Sequence, residues 1–265
     1  MRIQITTEPG TPGLPNDDFA ATAVPAGGSG GALVLLDGVT APAGERGCRH
    51  GVPWFAARLG GALLELCASR RGDSLTACLA EAISRTADAH RGTCDLSHPR
   101  TPQATVVCAR WDDASVDYLV LCDSVLLIEE PDGVVMPVLD TRLDDLRPGA
   151  RLLAPEDPGA FIEALRNAEG GFFTAAADPA VATRAVTGSA PAGAVRSLAA
   201  VTDGLGRWVE VFGLGGWPEL FALLAKEGAE EAIRQVRAAE AADPAGTAFP
   251  RGKAHDDASA ILVTP

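Results

Sequence analysis

The chain has no surplus of positive charge. Its 22 Lys and Arg face 35 Asp and Glu, a formal net charge of −13 over 265 residues. General nucleic-acid binders carry a basic footprint, and proteins drawn to anionic membranes carry basic clusters, so neither class fits. Long apolar runs are also missing. Nothing approaches the length of a membrane span, and the opening "MRIQITTEPG" lacks the apolar centre of a secretory signal. The six cysteines (48, 67, 78, 94, 108 and 122) include no CxxC pair. Several sit in apolar runs, and all six read as reduced, mostly core residues of a cytoplasmic protein. No internal repeat and no composition shift marks a linker, so residues 1–265 are expected to form one domain.

What is present is enough apolar material, 47% of the residues, for a sizeable core. Alternation or short apolar runs place strands at 2–8, 19–24, 32–36, 103–111, 116–122, 124–129, 133–137, 197–202 and 258–263. Helical spacing of apolar residues marks 52–70 and 74–90, the second capped by Asp73-Ser74. Further helix is expected at 158–168 and at 218–242, broken at Gly228. Strands and helices come in separate blocks instead of regular βαβ alternation. That order predicts an α+β fold with antiparallel sheets, two of them packed face to face with helices outside.

Carboxylates recur where strands end. "LVLLDGVT" (33–40) runs into Asp37-Gly38, "LAAVTDG" (198–204) into Asp203-Gly204, and "YLVLCDS" (118–124) into Asp123. Asp17-Asp18 precede the second strand, and Asp256-Asp257 precede the last. Singly, each is ordinary turn chemistry. Converging at one sheet edge, they would repel until some took up protons or a cation settled among them. Oxygen-only ligands suit Mg²⁺ or Mn²⁺ rather than zinc held by thiolates. Two such ions can activate a water and clamp a phosphoryl oxygen.

The order of these motifs resembles the metal-dependent protein phosphatases of the type 2C serine/threonine group. "PNDDFAA" (15–21), "LVLLDG" (33–38), "ATVVCARW" (104–111), "LVLCDSVLLI" (119–128), "AAVTDGL" (199–205) and "HDDASAILV" (255–263) are similar to that family's motifs, in order. The resemblance implies an antiparallel β-sandwich flanked by helices on both sides, in α-β-β-α layers. It also implies a site for two Mn²⁺ or Mg²⁺ ions. Asp37 would bridge them, with the Gly38 carbonyl as a further ligand. Asp203 and Asp256 would complete one ion's shell, and Asp17 would serve the other. Asp18 would hold metal-bound water, and Asp123 a weaker third ion. Residues 138–190 fall where the family carries a variable flap.

The departures lie elsewhere. The loop "PGTPGLPNDD" (9–18) has no arginine where the family grips substrate phosphate, "CDSV" lacks the family's Gly and Arg, and Asp257 stands where Asn is usual. His50 is the histidine available as general acid, and it lies well downstream of Asp37-Gly38. Arg49, Arg110 and Arg207 are alternative phosphate contacts, since arginine pairs bidentately with that anion. The implied activity is hydrolysis of phosphoserine and phosphothreonine on proteins by attack of a metal-bridging hydroxide. The alternatives are a small-molecule phosphate as substrate, or a non-catalytic module that binds metal or a partner.

Overall fold

Strand β3 (Gly31–Leu36) has all six residues buried, which only a strand covered on both faces can achieve. Its side chains divide by parity. Ala32, Val34 and Leu36 enter one apolar cluster, while Leu33 and Leu35 enter another. In a computed structural model, describing residues 1–264 except 28, 41–43, 45, 46 and 155, this alternation generates four layers.

The first sheet runs β2 (Phe19–Ala23), β3, β4 (Val106–Trp111), β5 (Ser115–Leu121) and β8 (Val186–Pro191). The second runs β1 (Arg2–Glu8), β10 (Ala258–Thr264), β9 (Ser197–Val201), β6 (Val125–Glu129) and β7 (Val135–Val138). Every pairing is antiparallel. Leu33, Leu35, Val107 and Val120 from the first sheet meet Leu126, Leu198, Ile261 and Val263 from the second, forming the middle core. Helices α1 (Val52–Ser69) and α2 (Leu75–His90) cover the first sheet's outer face through Phe55, Leu59, Leu63, Leu79 and Ile83. On the second sheet lie α5 (Asp203–Glu210), α6 (Trp217–Glu227) and α7 (Ala229–Ala242), anchored by Trp208, Phe221, Ile233 and Val236. The expected α-β-β-α sandwich is the one observed.

Local signals act where expected. The Ser74 hydroxyl accepts from the Ala77 amide and caps α2, and Gly228, at φ 90°, separates α6 from α7. Three elements escape sequence patterning. Helix α3 (Arg142–Leu153) contains Pro148, α5 contains two glycines, and β8 is a polar edge strand, "VTGSAP". Each is held by its neighbours rather than by its own propensity. The expected helix at 158–168 is shorter, α4 (Pro158–Ala164).

Two adjacent glycines of α1 have opposite surroundings. A Cβ on buried Gly60 would lie 2.2 Å from the Phe19 ring, whereas exposed Gly61 has nothing within 4 Å. Gly61→Ala is expected to stabilise the protein by about 0.5–1 kcal/mol through helix propensity. Gly60→Ala should instead lower stability by about 1–3 kcal/mol through overpacking against β2. Chemical denaturation of both variants checks the contrast.

Candidate metal centre

Antiparallel register brings the aspartates to one edge of the sandwich. Phe19 pairs with Leu36, so the start of β2 lies beside the end of β3. Val201 pairs with both Val125 and Ala260, so the end of β9 lies beside the starts of β6 and β10. Asp17, Asp18, Asp37, Asp123, Asp203 and Asp256 all sit immediately beyond these strand ends. The glycine after each Asp-Gly aspartate permits close approach. A Cβ on Gly38 would meet the Asp17 carbonyl oxygen at 2.4 Å and the Val52 side chain at 2.4 Å. On Gly204 it would collide with the carbonyl oxygen of Asp257.

The two sheets are joined through Asp18. Its Oδ2 accepts from Ser259 Oγ at 2.7 Å and from Thr202 Oγ1 at 3.1 Å, while Oδ1 is buried without a partner among the described residues. Burial pushes the Asp18 carboxyl up to about 8, with Asp257 and Asp203 adding repulsion. Asp37 follows β3. Its backbone exchanges hydrogen bonds with Thr105, the Asp37 amide donating to Oγ1 at 3.2 Å and its carbonyl accepting from the amide at 2.9 Å. Burial raises the Asp37 carboxyl well above the ordinary carboxylate range, and Asp203, Asp18, Asp256 and Asp123 reinforce this. Asp203 opens α5 and rises to about 7, through burial and then the charges of Asp256 and Asp123. A group of acids that retains protons near neutrality is one that lacks counter-charge.

Some counter-charge is supplied. Asp256 accepts from Arg207 Nη2 at 2.9 Å and from Lys253 Nζ at 2.7 Å. Arg207 also donates to Glu240, which is fully buried on α7 and further bonded to Arg237 and His255. Asp123 lies 3.9 Å from Arg147 of α3. Asp17 accepts from Thr40 Oγ1 at 3.2 Å. Asp257, the residue standing in place of the usual Asn, accepts from the amides of Gly10 (2.7 Å) and Asp17 (2.6 Å). It therefore fixes the loop that carries the first acidic pair. Cys122 holds φ at 69° just before Asp123, a left-handed conformation that glycine adopts without strain.

His50 stands apart from the strand-end aspartates. Its ring stacks on Trp54, with centroids 4.0 Å apart, and lies beside Cys48, Cys94 and His90. It is not among the residues lining the acidic cavity. Arg110 is likewise committed elsewhere, to Asp117 and to the carbonyls of Arg70 and Asp73. Sequence reading singled out Asp257 only as a replacement for Asn, and passed over Lys253, Thr202 and Ser259, because single polar residues next to an aspartate carry no pattern of their own. Lys253 and Asp257 flank the Asp256 motif, which is the one signal that pointed to them.

Asp37, Asp123, Asp203 and Asp256 line a cavity of about 1100 Å³, which Arg147, Arg151, Arg166, Arg251 and Lys253 also line. An oxygen-only donor set fits hard divalent cations. The partnerless, buried Asp18 Oδ1 and the proton-retaining acids show where a cation would relieve the repulsion. Asp17, Asp18, Asp37 and Asp203 are carboxylates that could hold one.

An antiparallel sandwich between helices, with half-buried aspartates gathered at one edge, is the architecture of metal-dependent phosphatases. The protein phosphatase 2C family model matches residues 10–236, and the chain belongs to that family. Its class is therefore metal-dependent phosphoric monoester hydrolase. Among solved structures, the serine/threonine phosphatase Stp1 from Staphylococcus aureus is 16% identical, with a TM-score of 0.62 over 99% of this chain and 94% of that one. The S. agalactiae serine/threonine phosphatase is 13% identical, with a TM-score of 0.61 over 100% and 99%. The catalytic domain of the phosphatase PstP, in complex with two manganese ions, is 17% identical, with a TM-score of 0.57 over 98% and 96%. No curated protein sequence matches the chain.

The electrostatics give two expectations. Asp203 is raised in the folded state to about 7, so ionising it opposes folding above that pH and not below its unfolded value near 4. In metal-free protein, Asp203→Asn should raise the melting temperature at pH 8, with the advantage vanishing toward pH 4. Mn²⁺ should reverse the order at pH 8, because the parent gains more from the ion. Arg207→Met should lower stability by about 3–5 kcal/mol, since it leaves Glu240 and Asp256 without their shared cation. Urea melts with and without the substitution measure this.

Proposed function

We propose that the chain removes phosphate from phosphoserine and phosphothreonine of proteins, in the cytoplasm, at the cavity beneath the strand-end aspartates. In this reading Asp17, Asp18, Asp37, the Gly38 carbonyl, Asp203 and Asp256 hold two Mn²⁺ or Mg²⁺ ions, and Asp123 helps hold a weaker third. Residues 1–265 act as one catalytic domain with 138–190 as its flap. The observation that carries the proposal is the gathering of these carboxylates at one sheet edge, several retaining protons near neutrality, where Asp37, Asp123, Asp203 and Asp256 line a cavity shared with arginines and a lysine. The manganese in the PstP structure supports the choice of ion.

Bound divalent ions would supply an activated water at neutral pH and neutralise charge on the phosphoryl oxygens. The protein's own groups do the rest. Thr105, Thr202 and Ser259 fix Asp37 and Asp18 in place, so donor atoms need no rearrangement when charge develops. Phosphate needs cationic donors, and the loop before β2 has none. Gly13 there sits at φ 84°, a conformation costing about 1–2 kcal/mol for any arginine put in its place. Lys253 is the substitute. It touches Asp256 and Thr40, and although burial works against its charge, Asp256, Asp37 and Asp203 keep the ammonium protonated. Arg147 and Arg151 of α3 offer further contacts from the cavity lining.

Mn²⁺-dependent release of phosphate from a phosphothreonine peptide is the direct test, with p-nitrophenyl phosphate and a small sugar phosphate as comparison substrates. Peptide turnover should dominate, and Asp37→Asn should abolish it by several orders of magnitude. Lys253→Ala should raise KM at least about tenfold with a smaller effect on kcat, the loss of one charge-assisted hydrogen bond. Metal binding by calorimetry without turnover of any ester would move the reading to a binding module.

A further inference from the structure

The histidine drawn away from the acidic cavity belongs to a second group of metal-binding side chains. Cys48, His50, His90 and Cys94 place their ligand atoms within 4.8 Å of one another. The two sulfurs are 3.0 Å apart. His50 Nδ1 lies 3.6 Å from Cys48 Sγ and 3.4 Å from Cys94 Sγ, and His90 Nδ1 lies 3.4 Å from Cys48 Sγ. From these distances we propose that the four residues bind one zinc ion, in a closed structural site independent of the phosphatase centre.

The geometry can be checked against the ion. Zinc ligated by sulfur at about 2.3 Å and nitrogen at about 2.05 Å gives tetrahedral S···N edges of about 3.5 Å and an S···S edge of about 3.8 Å. The three observed S···N distances match that edge. Only the S···S pair is short, as expected where one thiol donates to the other, and it would open by about 0.8 Å around an ion. Both histidines present the same nitrogen, Nδ1, to the sulfurs.

The surroundings are built for ligation. His90, the last residue of α2, is 3% exposed, and its Nε2 has no partner among the described residues, so the ring is held by packing and by its Nδ1 contact. Trp54 covers the other side, stacked on His50 and 5.2 Å from His90. The His50 amide already donates to Cys48 Sγ at 3.4 Å, which holds the sulfur in place. Two thiolates with two imidazoles select zinc over the hard ions suited to the aspartates. Four protein ligands leave no open position, so the role is structural.

The site would join two segments about 40 residues apart. Cys48 and His50 lie on the connection from Asp37-Gly38 to α1, and His90 and Cys94 at the end of α2. The Asp95 amide already donates to the Gly47 carbonyl at 2.7 Å across the same gap. Fixing this clasp fixes the start of α1, where Val52 packs on Gly38.

The test uses the full chain, stripped of loosely held ions by brief dialysis against a chelator at neutral pH. About one zinc per chain should remain, with X-ray absorption showing two sulfurs at about 2.3 Å and two nitrogens at about 2.0 Å. Cobalt replacement should give the spectrum of a tetrahedral thiolate site. Cys48→Ser and Cys94→Ser should each lose the zinc and melt at lower temperature, whereas Asp203→Asn should keep it. The wild-type absorption data decide the question even if the cysteine variants fail to fold. Absence of both zinc uptake and a cobalt–thiolate spectrum in reduced protein would overturn the proposal. So would zinc released by Asp203→Asn but retained by Cys94→Ser. A Cys48–Cys94 disulfide recovered from protein purified without reductant and unable to bind zinc after reduction would replace the metal site with a redox pair. None of these outcomes depends on phosphatase activity, so failure of the functional reading leaves the zinc result standing.

Discussion

Repulsion among half-buried carboxylates is the constraint around which this molecule is arranged. Asp18, Asp37 and Asp203 are each raised by burial and by the charges of neighbouring aspartates, so the site opposes folding unless protons or cations occupy it. The apolar sandwich supplies the opposing stability. Three separate cores, one under each helical layer and one between the sheets, hold the strand ends in register. Counter-charge is brought from a distance as well. Helix α7 contributes Glu240, which through Arg207 orients Asp256, so a helix on the outer layer reaches the centre through a chain of charges.

The layered fold was legible because strand burial repeats at intervals of two and helix burial at intervals near three and a half. Leu33 through Leu36 and the apolar faces of α1 and α2 carry those periods plainly. The aspartates were legible because each ends an apolar run, and antiparallel topology then has few places to put them. What the sequence did not disclose depends on contacts between distant segments. Nothing in "RLDDLRPGARLL" announces a helix, since Pro148 interrupts its hydrogen bonding and the helix leans on its neighbour α4. His50 read as an acid because the family supplies a histidine near that point. Its true neighbours, His90 and Cys94, are two helices further along the chain, and Cys48-x-His50 and His90-x-x-x-Cys94 match no common spacing by themselves. The cysteines read as core proved to be of two kinds: Cys67, Cys78, Cys108 and Cys122 are buried, whereas Cys48 and Cys94 are only partly so.

The chain thus separates two coordination chemistries on the two ends of one connection. Oxygen donors gather where residues 37 and 38 leave β3, and sulfur and nitrogen donors gather ten residues later, where the chain enters α1. Hard and soft ligands kept this far apart in kind do not compete for the same ion. The Cys48–His50 segment and the acidic edge also share a mechanical link, because Val52 sits against Gly38.

The bonds from Asp257 to the amides of Gly10 and Asp17 span about 240 residues. Strand β1 likewise pairs along its whole length with β10. A polypeptide still emerging from the ribosome has neither partner, so the loop bearing Asp17 and Asp18 lacks these two bonds until Asp257 has been synthesised. Fragments that stop short of it carry most of the strand-end aspartates but lack Asp256 and the strand that pairs with β1 and β9.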